Sequence, residues 1–556
     1  MKLKTAFHLF LPGIFLFTGS NQAQSWQWAK TAVVQTNQSS FANAVTGDAQ
    51  GNAYVTGSFY SPTIRFDTTT LYNNSPNGFD LFLVKYRPNG SVAWARSFGG
   101  SGNDEGYGIT LDAQKHIYIC GAYDSPVFQL GTASFSNAGG SDLFLAKLDS
   151  MGHVIWARNA GGSGNDLCNS ICVDAQNRPC IAGSFNSPFL SLGSTTLTDT
   201  TSQTQPLIAR YDANGTLLWA HTAAGTGGTN GNYAASVCSD TASNIYATGG
   251  FGYSSIHFGS HTLYNSGVTN VYVVKYDTSG TVSWILSAGG INEDAGSAVG
   301  CDQSGNVFLG GSFNSPRIGF LTDTLVSAGQ GDAFLVKFDP HGQLLWARSA
   351  GGAGDEQATN MGVDAMGHAY LCGSFASASF QYGTATLVNN GNLNIFMAEY
   401  DPFGNVLWAR CTGGTASDFA LSAFADQNGN AWMAGYFTSP SMSFDSHPVI
   451  FSGTSNMYVA KVGGITGIPV LSDPKENVRV NPNPSEGYFH FQFTTEIGTS
   501  CELRMYNARG ELVLSRRVNP GKEFDLHAEL MPAGLYLYTL RDKEQNLFCT
   551  GRLVIR

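Results

Sequence analysis

Seven tryptophans, Trp28, Trp94, Trp156, Trp219, Trp284, Trp346 and Trp408, recur at intervals of 62 to 66 residues. Self-similarity at a steady period constrains a fold more tightly than composition does, because each copy is one supersecondary unit that must bury its faces against its neighbours. Every unit repeats the same order of parts. The tryptophan strand leads into a Gly-rich loop, as in GGSGNDEGYG (99–108), and then into a short apolar strand ending at Asp48, Asp112, Asp174, Asp240, Asp302, Asp364 or Asp426. A turn and a strand of the G-S-F-x-S-P type follow, as at 57–62, 183–188 and 311–316. The unit closes on a strand, a turn such as RPNG (87–90) or DPHG (339–342), and the next tryptophan strand. Pro presets φ at the second turn position and Gly accepts φ > 0 at the fourth, the pattern of a type I turn running into a left-handed residue.

Each unit holds four or five short strands, shows no helical periodicity, and carries apolar residues on both faces of many strands. That describes a small sheet sandwiched between neighbours. Seven such sheets arranged radially make a β-propeller. The expectation is an all-β chain: a seven-bladed β-propeller over residues 24–463, followed by a small C-terminal β-sandwich. The unit that begins at Trp408 ends on MYVAKV (457–462) with no turn or tryptophan strand after it, while SWQWAK (25–30) is a tryptophan strand with nothing before it. The N-terminal strand is therefore expected to pair with the last blade and close the ring, which removes two open sheet edges.

The runs FLVKFDPHGQLLWAR (334–348) and DQSGN (302–306) resemble the seven-bladed β-propeller (SBBP) repeats of secreted bacterial proteins, and the resemblance recurs in every unit. It implies fold and leaves activity open.

The ends of the chain carry addresses. Residues 1–23 set Lys2 and Lys4 before an apolar run and then small and polar residues, the layout of a secretory signal cleaved near Ala23, with Ser20 the alternative. No later segment approaches the length of a membrane-spanning helix, so none is expected. Residues 464–477 read as a Gly/Pro linker, and the charge balance changes beyond it: residues 475–556 hold 11 Lys+Arg against 10 Asp+Glu, while residues 5–474 hold 16 against 30. So acidic a body excludes nucleic acid as a partner.

Residues 478–556 alternate as short strands around turns. Asn481, Pro482, Asn483 and Pro484, then Tyr506-Asn507 with Gly510, then LMPAGLY (530–536) with Pro532, Gly534 and Tyr536, and finally RLVIR (552–556) resemble, in that order, the C-terminal sorting domains of the type IX secretion system of Bacteroidetes. The resemblance implies the type IX machinery as a partner and a secreted, extracellular or outer-surface location. It also implies removal of the tail on arrival, with the product released or fixed to lipopolysaccharide.

Signals for chemistry are sparse. The eleven histidines are scattered, and H-E-x-x-H, G-x-S-x-G and the P-loop are missing, so no catalytic set, metal or cofactor is expected. The ten cysteines lack the spacing of a zinc site or disulfide framework. Cys172 and Cys180 would face each other across a tight hairpin and are a candidate disulfide; Cys501 and Cys549 are a second pair. The Asp ending each short strand reads as a turn cap. Eight residues earlier stands another series, Asp104, Asp166, Asp294, Glu356 and Asp418, with Ser40 and Asn232 in the other two units. Two readings stay open: each acid caps its own Gly-rich loop, or the five form a ring on the channel face that binds a polar ligand such as a glycan.

The repeated tryptophans read as packing residues, leaving Trp26 and Trp432 free for other work, and Lys85, Arg96 and their repeats as solvated blade edges. The function expected is a non-enzymatic binding scaffold for polysaccharide, matrix protein or another surface component. The rivals are a polysaccharide hydrolase or lyase using the channel face, and a structural surface-layer component.

Overall fold

The computed structural model describes residues 24–463, apart from 200, 202 and 228–229, and residues 478–555, apart from 498–500, 508–511, 520, 529–530, 533 and 542–546. The expected signal (1–23), the linker (464–477), Gly510 and the side chain of Cys549 lie outside the described residues. Residues 23–464 form one compact unit, and the residues from Ile465 onward belong to another. Among the described residues no helix is long and apolar enough to cross a membrane.

The larger unit is built from seven four-stranded antiparallel sheets, numbered here from the one that begins at Ser40. Sheet 5 shows the plan: Asp294–Cys301 innermost, then Val307–Phe313, Asp332–Phe338 and Leu344–Ala350. The innermost strands are Ser40–Gly47, Asp104–Leu111, Asp166–Val173, Asn232–Ser239, Asp294–Cys301, Glu356–Val363 and Asp418–Ala425; each packs against the next, and the seventh against the first. The middle strands are buried end to end, as in Ile117–Tyr123 and Asp142–Leu148. A strand covered on both faces needs mostly apolar or small residues, so IYICGAY and DLFLAKL show no alternation. The outer strands, such as Val92–Phe98, are half-exposed.

Trp26–Thr31 supplies the fourth strand of sheet 7, with Trp28 opposite Lys461 and Thr31 opposite Tyr458. Thr31 Oγ1 donates to the Met457 carbonyl at 2.7 Å, and the Asn456 side-chain amide donates to the Ala32 carbonyl at 3.1 Å. The Trp28 indole donates to the Pro88 carbonyl of sheet 1 at 2.9 Å. Gly90 in that turn has φ 80, and a Cβ there would stand 2.9 Å from the same indole. Trp156 with Gly215 and Trp346 with Gly404 repeat the arrangement. Each of these tryptophans thus seals the turn of the following sheet, which explains why tryptophan and glycine recur together.

Two sequence expectations give way here. Trp26 and Trp432 are core residues, 4% and 0% exposed: Trp26 packs edge-to-face on Phe444 at 4.8 Å, and the Lys461 ammonium stands over Trp432 at 5.0 Å. The repeated basic residues are not simply solvated edges either. Lys147 and Lys337 are buried over Tyr118 and Phe308, and each reaches the Asp ending its inner strand, at 3.4 Å to Asp112 and 3.2 Å to Asp302. Arg158 and Arg348 donate to the Gly215 and Gly404 carbonyls of the neighbouring sheet at 2.8 and 3.1 Å. Long aliphatic stems cover the sheet face while the charge finds a ring, a carboxylate or a carbonyl.

The smaller unit packs a three-stranded sheet (Val478–Asn481, Tyr488–Ile497, Gly521–His527) and a four-stranded one (Leu512–Val518, Cys501–Asn507, Gly534–Arg541, Leu547–Ile555) around one core that includes Phe489, Phe491, Leu503, Met505 and Tyr538.

Candidate channel site

Every inner strand carries a β-bulge where it pairs with the second strand of its sheet. The bulged residues are Asn43, Tyr107, Asn169, Ala235, Ser297, Thr359 and Leu421, and all seven line a central cavity of about 550 Å³. A bulge leaves one residue outside the ladder and re-aims its side chain. Four of the seven use that freedom to bind the next sheet: Asn43 and Asn169 donate to the Gly106 and Ala234 carbonyls at 3.0 Å, and Ser297 and Thr359 to the Ala358 and Ala420 carbonyls at 2.6 and 2.7 Å. The position is thus repeated while its chemistry varies from sheet to sheet.

The acidic series does not form a channel ring. Asp104, Asp166, Asp294, Glu356 and Asp418 are all 0% exposed. Asp104 accepts from the Gly100 N–H at 2.6 Å and the Ser125 hydroxyl at 2.7 Å. Asp166 holds Gly162 and Ser187, Asp294 holds Gly290 and Ser315, Glu356 holds Gly352 and the Ser377 N–H, and Asp418 holds Gly414 and Ser439. Each acid ties its own Gly-rich loop to the loop beside it that carries the serine, Ser-Pro in four sheets and Ser377-Ala378 in sheet 6, and successive strand residues face opposite ways. Asp104 therefore points into the sheet junction, and its neighbour Glu105 faces the other way. Burial raises the Asp104 carboxyl to about 6.

Two residues before each bulge lies a second position on the same strand face: Phe41, Glu105, Leu167, Tyr233, Ala295, Gln357 and Phe419. Tyr233 and Ala295 line the cavity. On the side of sheets 7 and 1 this position starts a run of half-exposed rings. Phe419 stacks on Tyr436 at 4.7 Å, Phe41 meets Tyr436 edge-on at 4.8 Å, and Phe79 packs between Phe41 at 5.8 Å and Tyr60 at 5.3 Å. Beside them Glu105 accepts from the Ser58 hydroxyl at 3.1 Å, and burial raises its carboxyl above the usual range. Residues common to all units do not reveal this patch; its signal is Phe in two adjacent units, sheets 7 and 1, at a position where the others carry Glu, Leu, Tyr, Ala or Gln.

At the other end the inner strands finish in a mouth of about 530 Å³ bordered by Asp48, Asp240, Asp302, Asp364 and Asp426. These are turn caps: Asp48 Oδ1 accepts from the Gln50 and Asn52 N–H groups at 3.0 Å, and the other six repeat the pattern. Sheet 6 breaks the basic series of the third strand with Glu399. Its carboxylate meets His368 Nδ1 at 2.9 Å and accepts from the Tyr370 hydroxyl at 3.2 Å and from the Trp408 indole. The hydrogen bond to Glu399 raises the His368 imidazole, with Asp364 adding to the effect, while burial raises Asp364 itself.

Cys172 stands directly opposite Cys180 in the register of sheet 3, as the hairpin reading anticipates, and the two are present as free thiols.

In the smaller unit the separated sorting elements converge. Asn507 is opposite Tyr536, which is opposite Leu553 of the last strand. The Asn483 side chain accepts from the Val554 N–H at 2.9 Å, and the Ser485 N–H donates to the Val554 carbonyl at 2.9 Å. Tyr536 turns its hydroxyl onto the Pro532 carbonyl at 2.7 Å, and Gly534 opens the strand that carries it. Pro482 and Pro484 both follow cis peptide bonds.

The chain is 23% identical over 494 residues to an uncharacterised WD repeat-containing protein, L264, of Acanthamoeba polyphaga mimivirus, covering 71% of this chain and 34% of that one. It is 25% identical over 354 residues to the regulatory protein FlaEY of Caulobacter vibrioides, covering 59% and 35%. The chain thus spans about a third of the length of these curated relatives. Among solved structures, a protein of unknown function from Dyadobacter fermentans matches at 13% identity and TM-score 0.34 over 78% of this chain and 99% of that one. PorZ, described as a surface component of the type IX secretion system of Porphyromonas gingivalis, matches at 9% and 0.23 over 95% and 100%. Likenesses that distant decide neither fold nor activity. Residues 479–556 match the model of the secretion system C-terminal sorting domain. The chain therefore carries the tail that marks proteins for the type IX machinery, and its place is outside the cell or on the outer surface.

Proposed function

We propose that this is a seven-bladed β-propeller of the SBBP-repeat type, closed by its N-terminal strand, that acts outside the cell as a non-enzymatic polysaccharide-binding scaffold. The observation that carries the reading is the row of half-exposed rings, Phe419, Tyr436, Phe41, Phe79 and Tyr60, gathered where sheets 7 and 1 meet. A sugar ring offers an apolar C–H face and a rim of hydroxyls. Aromatic faces take the first, and the Glu105 carboxyl with the Tyr107 hydroxyl that hydrogen-bonds it takes the second. The acids common to the repeats are occupied in holding loops, which leaves binding to the positions that vary.

The test is to apply the chain from Gln24 onward to arrayed polysaccharides and matrix proteins, scoring both retained protein and released fragments. Retention on polysaccharide that falls about tenfold, ~1.4 kcal/mol, in F41A and Y436A at unchanged melting temperature supports the proposal. Retention on matrix protein alone would move the site to a protein partner. Fragment release would replace binding by hydrolysis or lyase chemistry, with Glu105, whose carboxyl burial already raises, as the first acid to examine.

A further inference from the structure

The junction between sheets 4 and 5 holds two thiols. Cys238 is the seventh residue of Asn232–Ser239, and Cys301 is the last of Asp294–Cys301. Their Sγ atoms lie 2.9 Å apart although 63 residues separate them, closer than two unbonded sulfur atoms rest against each other. The repeat itself creates this meeting. At the same junction between sheets 5 and 6, a Cβ on Gly300 would stand 2.6 Å from Val363, and between sheets 7 and 1 a Cβ on Gly47 would stand 2.9 Å from Phe424. At three of the other junctions the space takes a glycine and a larger side chain, Gly300 with Val363, Gly362 with Ala425 and Gly47 with Phe424; here it takes two cysteines. One sheet earlier the equivalent residues are Cys172 and Ser239, which cannot make such a pair.

Both cysteines are half-buried, and Cys301 borders the mouth formed by the inner-strand ends. The chain also carries the mark of an exported protein, and exported proteins pass through compartments that favour disulfides. We propose that Cys238 and Cys301 are joined by a disulfide in the exported protein, a covalent staple between neighbouring sheets beside the channel.

The oxidant is a protein disulfide of the thiol-exchange class. The Cys301 thiolate attacks one sulfur of that disulfide, forming a mixed disulfide, and the first partner thiolate leaves and takes up the proton that Cys301 gave up. Cys238, deprotonated in turn, attacks the Cys301 sulfur. The Cys238–Cys301 bond forms, the mixed disulfide breaks, and the second partner sulfur leaves and accepts the remaining proton. Two electrons pass to the partner, which ends as a dithiol. Burial holds both cysteines as thiols in the finished fold, Cys238 most strongly. Closure therefore belongs to the stage when sheets 4 and 5 are docking and the thiolates are still accessible.

The full exported chain, collected outside the cells that secrete it, is alkylated without reduction, digested and mapped by mass spectrometry, with a reduced aliquot alongside. The expected result is a linked peptide pair joining Cys238 to Cys301 in most molecules, two hydrogen masses lighter than the separate peptides and released by reduction. Complete alkylation of both cysteines without reduction overturns the proposal, and so does a map whose only link is Cys172–Cys180. As a second readout, reductant lowers the melting temperature of the wild-type chain by several degrees and leaves C238S unchanged; equal response of the two chains counts against the staple. The mapping needs no variant, so a C238S chain that fails to fold does not shelter the idea.

Discussion

Trp28 faces Lys461 across an antiparallel strand pair and gives its indole N–H to the Pro88 carbonyl at 2.9 Å, so one residue near the N-terminus joins sheet 7 to sheet 1. The other six sheets each take their four strands from one continuous stretch of chain, whereas sheet 7 borrows its last from the opposite end. Removing residues 24–32 should lower the thermal stability of the whole larger unit. W28A alone should cost about 3–5 kcal/mol, as for other large-to-small changes at buried aromatics. Calorimetric melts of the two variants beside the wild type check this; coincident transitions would falsify closure by this strand.

Asp80 is fully buried at the start of a third strand, and burial lifts its carboxyl from 3.8 to about 7. Between those values the fold holds a proton that the unfolded chain has released. Stability therefore falls as pH rises through that window, and the cost is complete above pH 7. Sheets 4, 6 and 7 place Asn270, Asn394 and Asn456 at the same position. D80N should accordingly be more stable than the wild type by about 1–4 kcal/mol at pH 8, a tenfold change in proton affinity being worth about 1.4 kcal/mol, and the gain should vanish by pH 4. Urea titrations of both chains at the two values decide it.

His368 is held above the usual imidazole range by Glu399 and Asp364. A raised folded-state value means that the charged pair stabilises the fold fully below pH 6.5 and loses that contribution as pH rises through the folded value. H368Q should be less stable than the wild type by about 1–2 kcal/mol at pH 5.5, the scale of a hydrogen bond to a charged group. The two chains should converge at alkaline pH. Parallel loss at every pH would mean that the ring packs and its charge does nothing.

The Asn483 side chain ties the Asn-Pro repeat to Val554 in the last strand. If the secretion machinery reads the folded tail, N483A should leave a larger share of the protein inside the cell envelope, and truncation before Pro469 should leave nearly all of it there. Immunoblots of periplasm and medium give the ratio; undiminished export of the truncated chain would deny the tail its sorting role.

The strand order, the repeat and the pairing of SWQWAK with the last unit are legible in the sequence because they are set by local periodicity. A strand buried on both faces must be largely apolar, and the hairpin turn before the tryptophan strand needs φ > 0 and carries Gly at 90, 152, 215, 280, 342 and 404; the copies repeat both requirements. The tail is legible for the same reason, since its elements are contiguous motifs. So are the caps formed by Asp48 and its six equivalents, because each is closed within a few neighbouring residues, as from Asp48 to Asn52.

What crosses between sheets is another matter. Asp104 could have faced the channel or its own loop, and period-two alternation alone does not say which face is which; the neighbouring sheet, which buries one side, chose the loop. Lys147 and Lys337 read as surface charges until Tyr118, Phe308 and the strand-end aspartates surround them. The aromatic row from Phe419 to Tyr60 and the contact of Cys238 with Cys301 join residues of different units at positions that the repeat does not keep alike in kind. Seven similar sheets and an exported tail follow from short-range pattern, which the chain writes out residue by residue. The channel and its chemistry follow from the packing of one sheet on the next, because that depends on distances between residues some sixty positions apart.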